Sequence, residues 1–464
     1  MQAKLMTNQN TNFGKSYGNA RYRTYVLLTL TSVYLINFLD RILISVIGRP
    51  IIDEFGLSNF QFGILTGFAF AMFYTTLGIP IARLSDQYSR VRIIGFCTIL
   101  WSVATILCGF TVGFISLLLA RMAVGIGEAG CAAPSNSLIS DYYESSSRPL
   151  ALGIFAGAIM FGTVLAQFTG GLILETFSWR EAFVYIGAPG VIFGLVVLLT
   201  IKEIPRGYSD SPYSPAPVKA TLNEAFSLVV RKKTFWHISF ASSFATLAGY
   251  SLLSFQPLFI QYMHGLSPGQ TAITVMAYLG IAGTIGTWTG GYLTQKLLRR
   301  TYLAPLIIPI LGGILCVPLL LAGLSASSIK IMFWTFLLAN FFQTMYLGPM
   351  YSLAQSVVPI RVRATSVGIL LFIINLIGYG LGPPLIGAIA DWFTNSAIMN
   401  SLPSQTINAS CNFSDPMLSS ELRDVCQNAK THGMKMACTI AAMFFAVSAC
   451  WYLVAGKDLK RDLA

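Results

Sequence analysis

Apolar runs of about 20 residues, each long enough to cross a bilayer as a helix, recur twelve times along the chain between short polar breaks. In the first half they lie near 24–48, 61–83, 93–114, 116–140, 150–173 and 182–202, and in the second near 234–262, 270–294, 302–324, 329–356, 365–390 and 433–455. Numbered helix 1 to helix 12, they predict an all-α membrane protein with twelve transmembrane helices in two pseudo-symmetric six-helix bundles, 24–203 and 234–456. Residues 1–23 are polar, carry Lys4, Lys15, Arg21 and Arg23, and read as a tail rather than a cleavable leader. Ile204 to Lys219 contains four Pro and reads as a linker within 204–233. Beyond it, Leu222, Phe226, Val229 and Val230 beside Arg231, Lys232 and Lys233 predict a short helix on the membrane surface. A long outer loop at 391–432 and a tail at 457–464 complete the expected organisation.

The halves echo one another. Pro134-Ser-Asn-Ser-Leu138 in helix 4 and Pro349-Met-Tyr-Ser-Leu353 in helix 10 stand 215 residues apart, and at that offset Arg148 falls on Arg363, Gly153 on Gly368 and Ile154 on Ile369. Between loops 2–3 and 8–9 the offset is 209, placing Leu84, Asp86 and Arg90 on Leu293, Gln295 and Arg299. An internal duplication accounts for both, and transporters built from such repeats hold substrate between the halves.

Composition agrees with a membrane protein. Of 464 residues 55% are hydrophobic and only 10% charged, where a soluble domain has about a quarter charged; mean hydropathy is +0.66. The 41 Gly and 20 Pro do not signal disorder, because 32 Phe, 20 Tyr and 7 Trp supply apolar mass. The net charge of +12 reads as topology rather than as a nucleic-acid surface, and no nucleic acid is expected as a partner. Twenty-two of the 30 Lys and Arg fall in segments on the side of the two termini, against Arg49, Arg180, Lys330, Arg423, Lys430 and Lys435 opposite. By the positive-inside rule both termini are expected to be cytoplasmic, in the inner membrane if the source is a bacterium.

Ionisable residues inside membrane helices are costly and usually functional. Four stand out: Asp40 and Arg41 in helix 1, Arg121 and Glu128 in helix 4. Arg121, Gly125, Glu128, Ala132 and Ser135 share one helical face, and Asn37 shares a face with Asp40 and Arg41. Proton coupling is expected at Asp40 and Glu128, and substrate or ion-pair contacts at Arg41, Arg121 and Asn37. The alternative is a static ion-pair cluster joining helices 1 and 4. Burying charge is a poor way to gain stability, which favours the functional reading. Tyr250, Ser254, Asn340, Thr344, Asn375 and Tyr379, at helical spacing in helices 7, 10 and 11, are possible cavity-lining residues, although packing or helix–helix hydrogen bonds explain such positions as well.

The loop Ala82-Arg-Leu-Ser-Asp-Gln-Tyr-Ser-Arg-Val-Arg92 resembles the loop 2–3 signature of the major facilitator superfamily at Leu84, Asp86 and Arg90. It departs from that signature at Ala82, Gln87 and Ser89. The resemblance implies a gating role for Asp86 and Arg90, with Asp86 facing the start of helix 11 at Arg361 and Arg363, where the positive helix end adds to the cationic site. The second-half copy carries Gln295 in place of the acid. A narrower resemblance rests on Asp40-Arg41, on Arg121-Met-Ala-Val-Gly-Ile-Gly-Glu-Ala129, on Ser137-Leu-Ile-Ser-Asp141 with Arg148, and on Trp179-Arg-Glu-Ala-Phe183. These are similar to the Spinster-like branch, whose members are proton-linked or handle lysolipids and sphingolipids. The branch implies a proton-coupled, alternating-access carrier of an amphipathic lipid-like anion. Proton-coupled carriers of small organic anions such as sugar acids share much of the helix 1 pattern and are the alternative.

An enzyme is not expected, since no GxSxG, Walker or HExxH motif is present. A transporter-like receptor or sensor is the rival of another class, but the tails are too short for an output domain. The eight Cys and three His show no metal spacing, so no metal or cofactor is expected beyond the proton as coupling ion. Cys411 and Cys426, on the outer side, are expected to form a disulfide worth about 3 kcal/mol. Asn408-Ala-Ser and Asn412-Phe-Ser are formal glycosylation sequons. Expected partners are membrane lipids and a small-molecule or lysolipid substrate, and a monomer is expected.

Overall fold

The structure, a computed structural model, describes residues 16–144, 147–209, 222–359, 362–401 and 420–463. Its spans are Ala20–Val46, Asn59–Ser85, Arg90–Cys108, Phe114–Tyr142, Leu150–Thr176 and Trp179–Thr200, then Lys233–His264, Pro268–Leu298, Ala304–Ser325, Ile329–Ser356, Thr365–Ser401 and Leu422–Asp462. These are helices 1 to 12, and no strand occurs among the described residues. An even number of passes puts both chain ends on one face, called here the terminal face; the opposite one is the far face. Large apolar side chains such as Leu199, Phe161 and Trp288 are well exposed on the helix exteriors, as a lipid environment requires.

The repeat is written into the helix irregularities. Helix 4 breaks at Ala129–Cys131, between Phe114–Glu128 and Ala132–Tyr142. Helix 10 breaks 215 residues later, between Ile329–Gln343 and Leu347–Ser356. Pro134 and Pro349 are the cause, since each lacks the N–H that the carbonyl four residues earlier would need. In the first break Gly130 N donates instead to Gly127 O at 3.1 Å and Cys131 N to Glu128 O at 3.1 Å, the tighter bonding of a 3-10 turn. Helices 2 and 8 also match: both start with reciprocal capping boxes, Ser58 with Gln61 and Ser267 with Gln270. Each then contains one wide π turn, Ile64–Phe68 and Ala272–Met276.

Two sequence expectations need correction. The outer loop is not 391–432: helix 11 runs to Ser401 and helix 12 already begins at Ser420. Beyond the apolar stretch the two helices pack on one another, and Gly433 lies against the Ala390 carbonyl and Thr394. Tertiary packing, not hydropathy, keeps these polar turns helical. At the other end helix 12 reaches Leu463, so most of the expected 457–464 tail is helical too. Cys426 is disulfide-bonded; Cys411, its expected partner, and both sequons lie outside the described residues. Leu222–Val230 is a helix, and Val229 is buried in a cluster with Phe235, Leu353 and Tyr452, which ties the linker to the second bundle.

Candidate functional site

The glycines of the helix 4 motif explain how the charged residues come together. A Cβ on Gly125 would meet the Phe70 carbonyl at 2.8 Å, and one on Gly127 would meet Trp101 N at 2.7 Å. Only glycine lets helices 2 and 3 approach helix 4 on both sides of the turn that ends in Glu128. The four ionisable residues then meet in a crossed arrangement. Arg41 donates to Glu128 Oε2 through Nη2 at 2.7 Å and Nε at 3.1 Å, while Arg121 stands 3.9 Å from Asp40. Arg41 also reaches Asn37 Oδ1 at 3.4 Å. Asp40 accepts a hydrogen bond from Thr105 of helix 3, a residue that the sequence did not single out because Thr in an apolar helix is ordinary. All six are buried, with Arg121 at 0% and Glu128 at 1% exposed.

The pairing is incomplete in a specific way. Glu128 Oε1, Asp40 Oδ1 and all three Arg121 side-chain nitrogens have no hydrogen-bond partner among the described residues. A cluster serving stability alone would satisfy these atoms, because an orphaned buried polar group costs about 1–3 kcal/mol. The interruption of helix 4 separates Ala132 and Ser135 from the continuous face on which they were expected.

Aromatic rings enclose the Arg41 guanidinium. Its Cζ lies 4.6 Å from each of the ring centroids of Phe38, Phe70 and Tyr74. Phe70 touches Tyr379 of helix 11 at 5.5 Å, and Tyr379 stacks on Tyr250 of helix 7 at 4.2 Å. Tyr250 and Tyr379 therefore join the site, bringing the second bundle to the first. Three of the other proposed lining residues make hydrogen bonds within or between helices. Ser254 bonds back to the Tyr250 carbonyl at 3.0 Å, Asn340 accepts from Gln343 at 2.6 Å, and Thr344 donates to the Gly283 carbonyl of helix 8 at 2.7 Å. Asn375 lies half-buried in a third π segment, Ile374–Gly380. At the repeat offset of 215 Glu128 corresponds to Gln343, so the second bundle has a neutral amide where the first has its acid.

At the terminal face Arg90 is fully buried and ties its own bundle together. It bonds Asp141 of helix 4, Ser137 at 3.0 Å, Glu203 beyond helix 6 at 2.9 Å and the Ile204 carbonyl at 2.7 Å. Among the described residues its partners all belong to the first bundle and the segment that follows it. Its counterpart Arg299 is exposed, as is Gln295. The side chains of Asp86 and Arg363, and Arg361 altogether, lie outside the described residues. Burial by itself would push the Glu203 carboxyl up, but hydrogen bonds from Val91 N, Arg90 and Ser89 outweigh it and hold the carboxyl below its usual range. Arg206 adds a cap on helix 2, donating to Ser85 O at 2.6 Å and Tyr88 O at 2.8 Å.

Arg90→Ala strands two carboxylates and is expected to lower stability by about 3–5 kcal/mol, read as the unfolding midpoint of the detergent-solubilised protein. Because the Glu203 pKa is depressed in the folded state, its contribution is present at neutral pH and is lost as pH falls through the depressed value. Glu203→Gln should therefore flatten that acid-side loss; an unchanged profile would remove Glu203 from the network's energetics.

A buried charge cluster where two repeat-related bundles meet is the arrangement of a membrane transporter. Comparison with known proteins identifies the family. The model of the Major Facilitator Superfamily matches residues 30–383. A crystal structure of a bacterial homologue of the human lysosomal transporter Spinster, inward-facing and unoccupied, is 36% identical with a TM-score of 0.89, covering 96% of this chain and 99% of that one. An MFS-type efflux pump of Mycolicibacterium smegmatis is 29% identical over 369 residues, 79% of this chain and 84% of its own length. The protein spinster of Drosophila melanogaster is 27% identical over 421 residues, 88% of this chain and 66% of its own length. The chain belongs to the Major Facilitator Superfamily, in its Spinster-like branch, and is an integral multi-pass membrane transporter.

Proposed function

We propose that this transporter is proton-coupled, works by alternating access with both termini cytoplasmic, and carries an amphipathic lipid-like anion such as a lysolipid or sphingolipid-like molecule as a monomer. The observation that carries the reading is Arg41, held between the Glu128 carboxylate and three aromatic rings. An anionic head group entering the aromatic enclosure competes with Glu128 for this guanidinium, and the rings receive the apolar part of the same molecule. A carboxylate deprived of its cation in a low-dielectric bundle takes up a proton, so substrate and proton exchange places on Arg41. Asp40 with Arg121 forms a second, looser pair that passes or stores the proton. Asp86 at the end of helix 2 is assigned to the gate on the terminal face.

Lysolipids at a hundred times their Kd are expected to raise the stability of the purified protein by about 2.7 kcal/mol, and hexuronates to leave it unchanged. Stabilisation by hexuronates and by no lysolipid would replace the substrate class with sugar acids. Uptake of the stabilising compound into proteoliposomes separates a transporter cycle from a receptor, which would bind without accumulation.

A further inference from the structure

The far face holds two acid contacts that cross between the bundles and repeat one another. Asp391 of helix 11 accepts hydrogen bonds from Asn59 N at 2.9 Å, Phe60 N at 2.9 Å and Asn59 Nδ2 at 2.8 Å, all at the start of helix 2. Glu175 of helix 5 accepts from Ser267 Oγ at 2.6 Å, at the start of helix 8. Residues 175 and 391 differ by 216, within one residue of the offset of 215 that relates helices 4 and 10. Each acid thus comes from one bundle and meets the N-terminus of a helix in the other. The backbones are close at both places. Gly387, four residues before Asp391, lies against the Asn59 carbonyl; Gly171, four before Glu175, would place a Cβ 3.0 Å from the Gly269 carbonyl.

We propose that Asp391 and Glu175 are a repeat-related pair of latches that hold the far side of the transport pathway shut and must release before substrate can pass on that side. They are positioning residues for the transport cycle, and the inference rests on the alternating-access part of the function proposed above. The physical basis is the set of orphan N–H donors that every helix N-terminus exposes. Ser58 accepts from Gln61 N within helix 2, which leaves Asn59 N and Phe60 N for Asp391. When the bundles separate, both donors and the carboxylate lose their partners together, so closure is rewarded as a unit. The positive end of the helix adds attraction to the same carboxylate. Helix 8 has Pro268 where helix 2 has Asn59, and proline offers no N–H. Among the described residues Glu175 therefore grips the capping serine alone, and its latch is the weaker one. Arg49 stacked 4.9 Å over the Tyr262 ring is a further contact across the same face, so release of the latches loosens the seam without dismantling it.

The test is a distance across the far face, measured by spin labels at Val112→Cys and Ser327→Cys in the substrate-free protein. Val112 follows helix 3 in the first bundle and Ser327 follows helix 9 in the second; both are exposed. Asp391→Ala is expected to raise the ratio of far-open to far-closed molecules about tenfold, Glu175→Gln about threefold, and the pair about thirtyfold, since two separate latches add in free energy. Asp391→Glu should recover part of the closed population. Should Asp391→Ala fail to fold, Glu175→Ala, which removes one hydrogen bond across the seam and leaves the Ser267 cap on Gln270 N in place, carries the same test. Distances unchanged in folded variants would overturn the latch assignment, while leaving proton coupling and substrate class to their own tests.

Discussion

Glu128→Gln is expected to bind and exchange substrate but to lose its dependence on a pH gradient. Gln matches Glu in size and its carbonyl oxygen still accepts from Arg41, so the 2.7 Å contact and the fold should survive. What disappears is the site where a proton is taken up when Arg41 is engaged elsewhere. In proteoliposomes, gradient-driven uptake should fall at least tenfold, to the level seen without a gradient, while substrate counterflow continues. Asp40→Asn should show a milder defect, because its cation stands at 3.9 Å and Thr105 already supplies a hydrogen bond. Gradient dependence that persists unaltered in Glu128→Gln would make Glu128 a structural partner of Arg41 and nothing more.

Arg41→Ala should damage stability and recognition together, and a second substitution separates the two. Removing the guanidinium leaves Glu128 buried without its cation, a change that costs about 3–5 kcal/mol when one member of a buried pair is lost. It also removes the cation that faces Phe38, Phe70 and Tyr74. Combining Arg41→Ala with Glu128→Gln takes away the stranded charge, so thermal stability should largely recover. Stabilisation by an anionic lysolipid should not recover, since no cation remains to meet the head group. A double variant that regains ligand-induced stabilisation would show that Arg41 is not the anion contact. One that fails to regain thermal stability would show that the pair's energetics reach beyond the two residues.

The site was partly legible because charge inside an apolar helix is conspicuous. Asp40, Arg41, Arg121 and Glu128 stand out against their surroundings, and Asn37 follows from helical spacing. Their crossed pairing did not follow, since it depends on how helices 1 and 4 are rotated about their axes. Thr105, Phe38, Phe70 and Tyr74 carried no signal, as such residues fill every membrane helix. Arg90 looked like a loop charge and is instead the fully buried centre of a clamp that joins helices 3 and 4 to the segment after helix 6. Asp391 was assigned to a loop because hydropathy falls away there, yet it lies within a helix and holds the opposite bundle.

Length and spacing of the apolar runs determined the twelve passes, because each pass answers mainly to local hydrophobicity over about 20 residues. The echo of Pro134 in Pro349 determined the repeat, because proline acts on the helix that contains it, and the two breaks fall where the prolines put them. The tertiary structure alone decided which carboxylate meets which guanidinium and how far helices 11 and 12 continue past the membrane. It also decided that the two acids 216 residues apart reach across the seam. Each of these depends on side chains from separate helices arriving at one place. Arrival is set by the close packing of many helices at once, which no single stretch of sequence records.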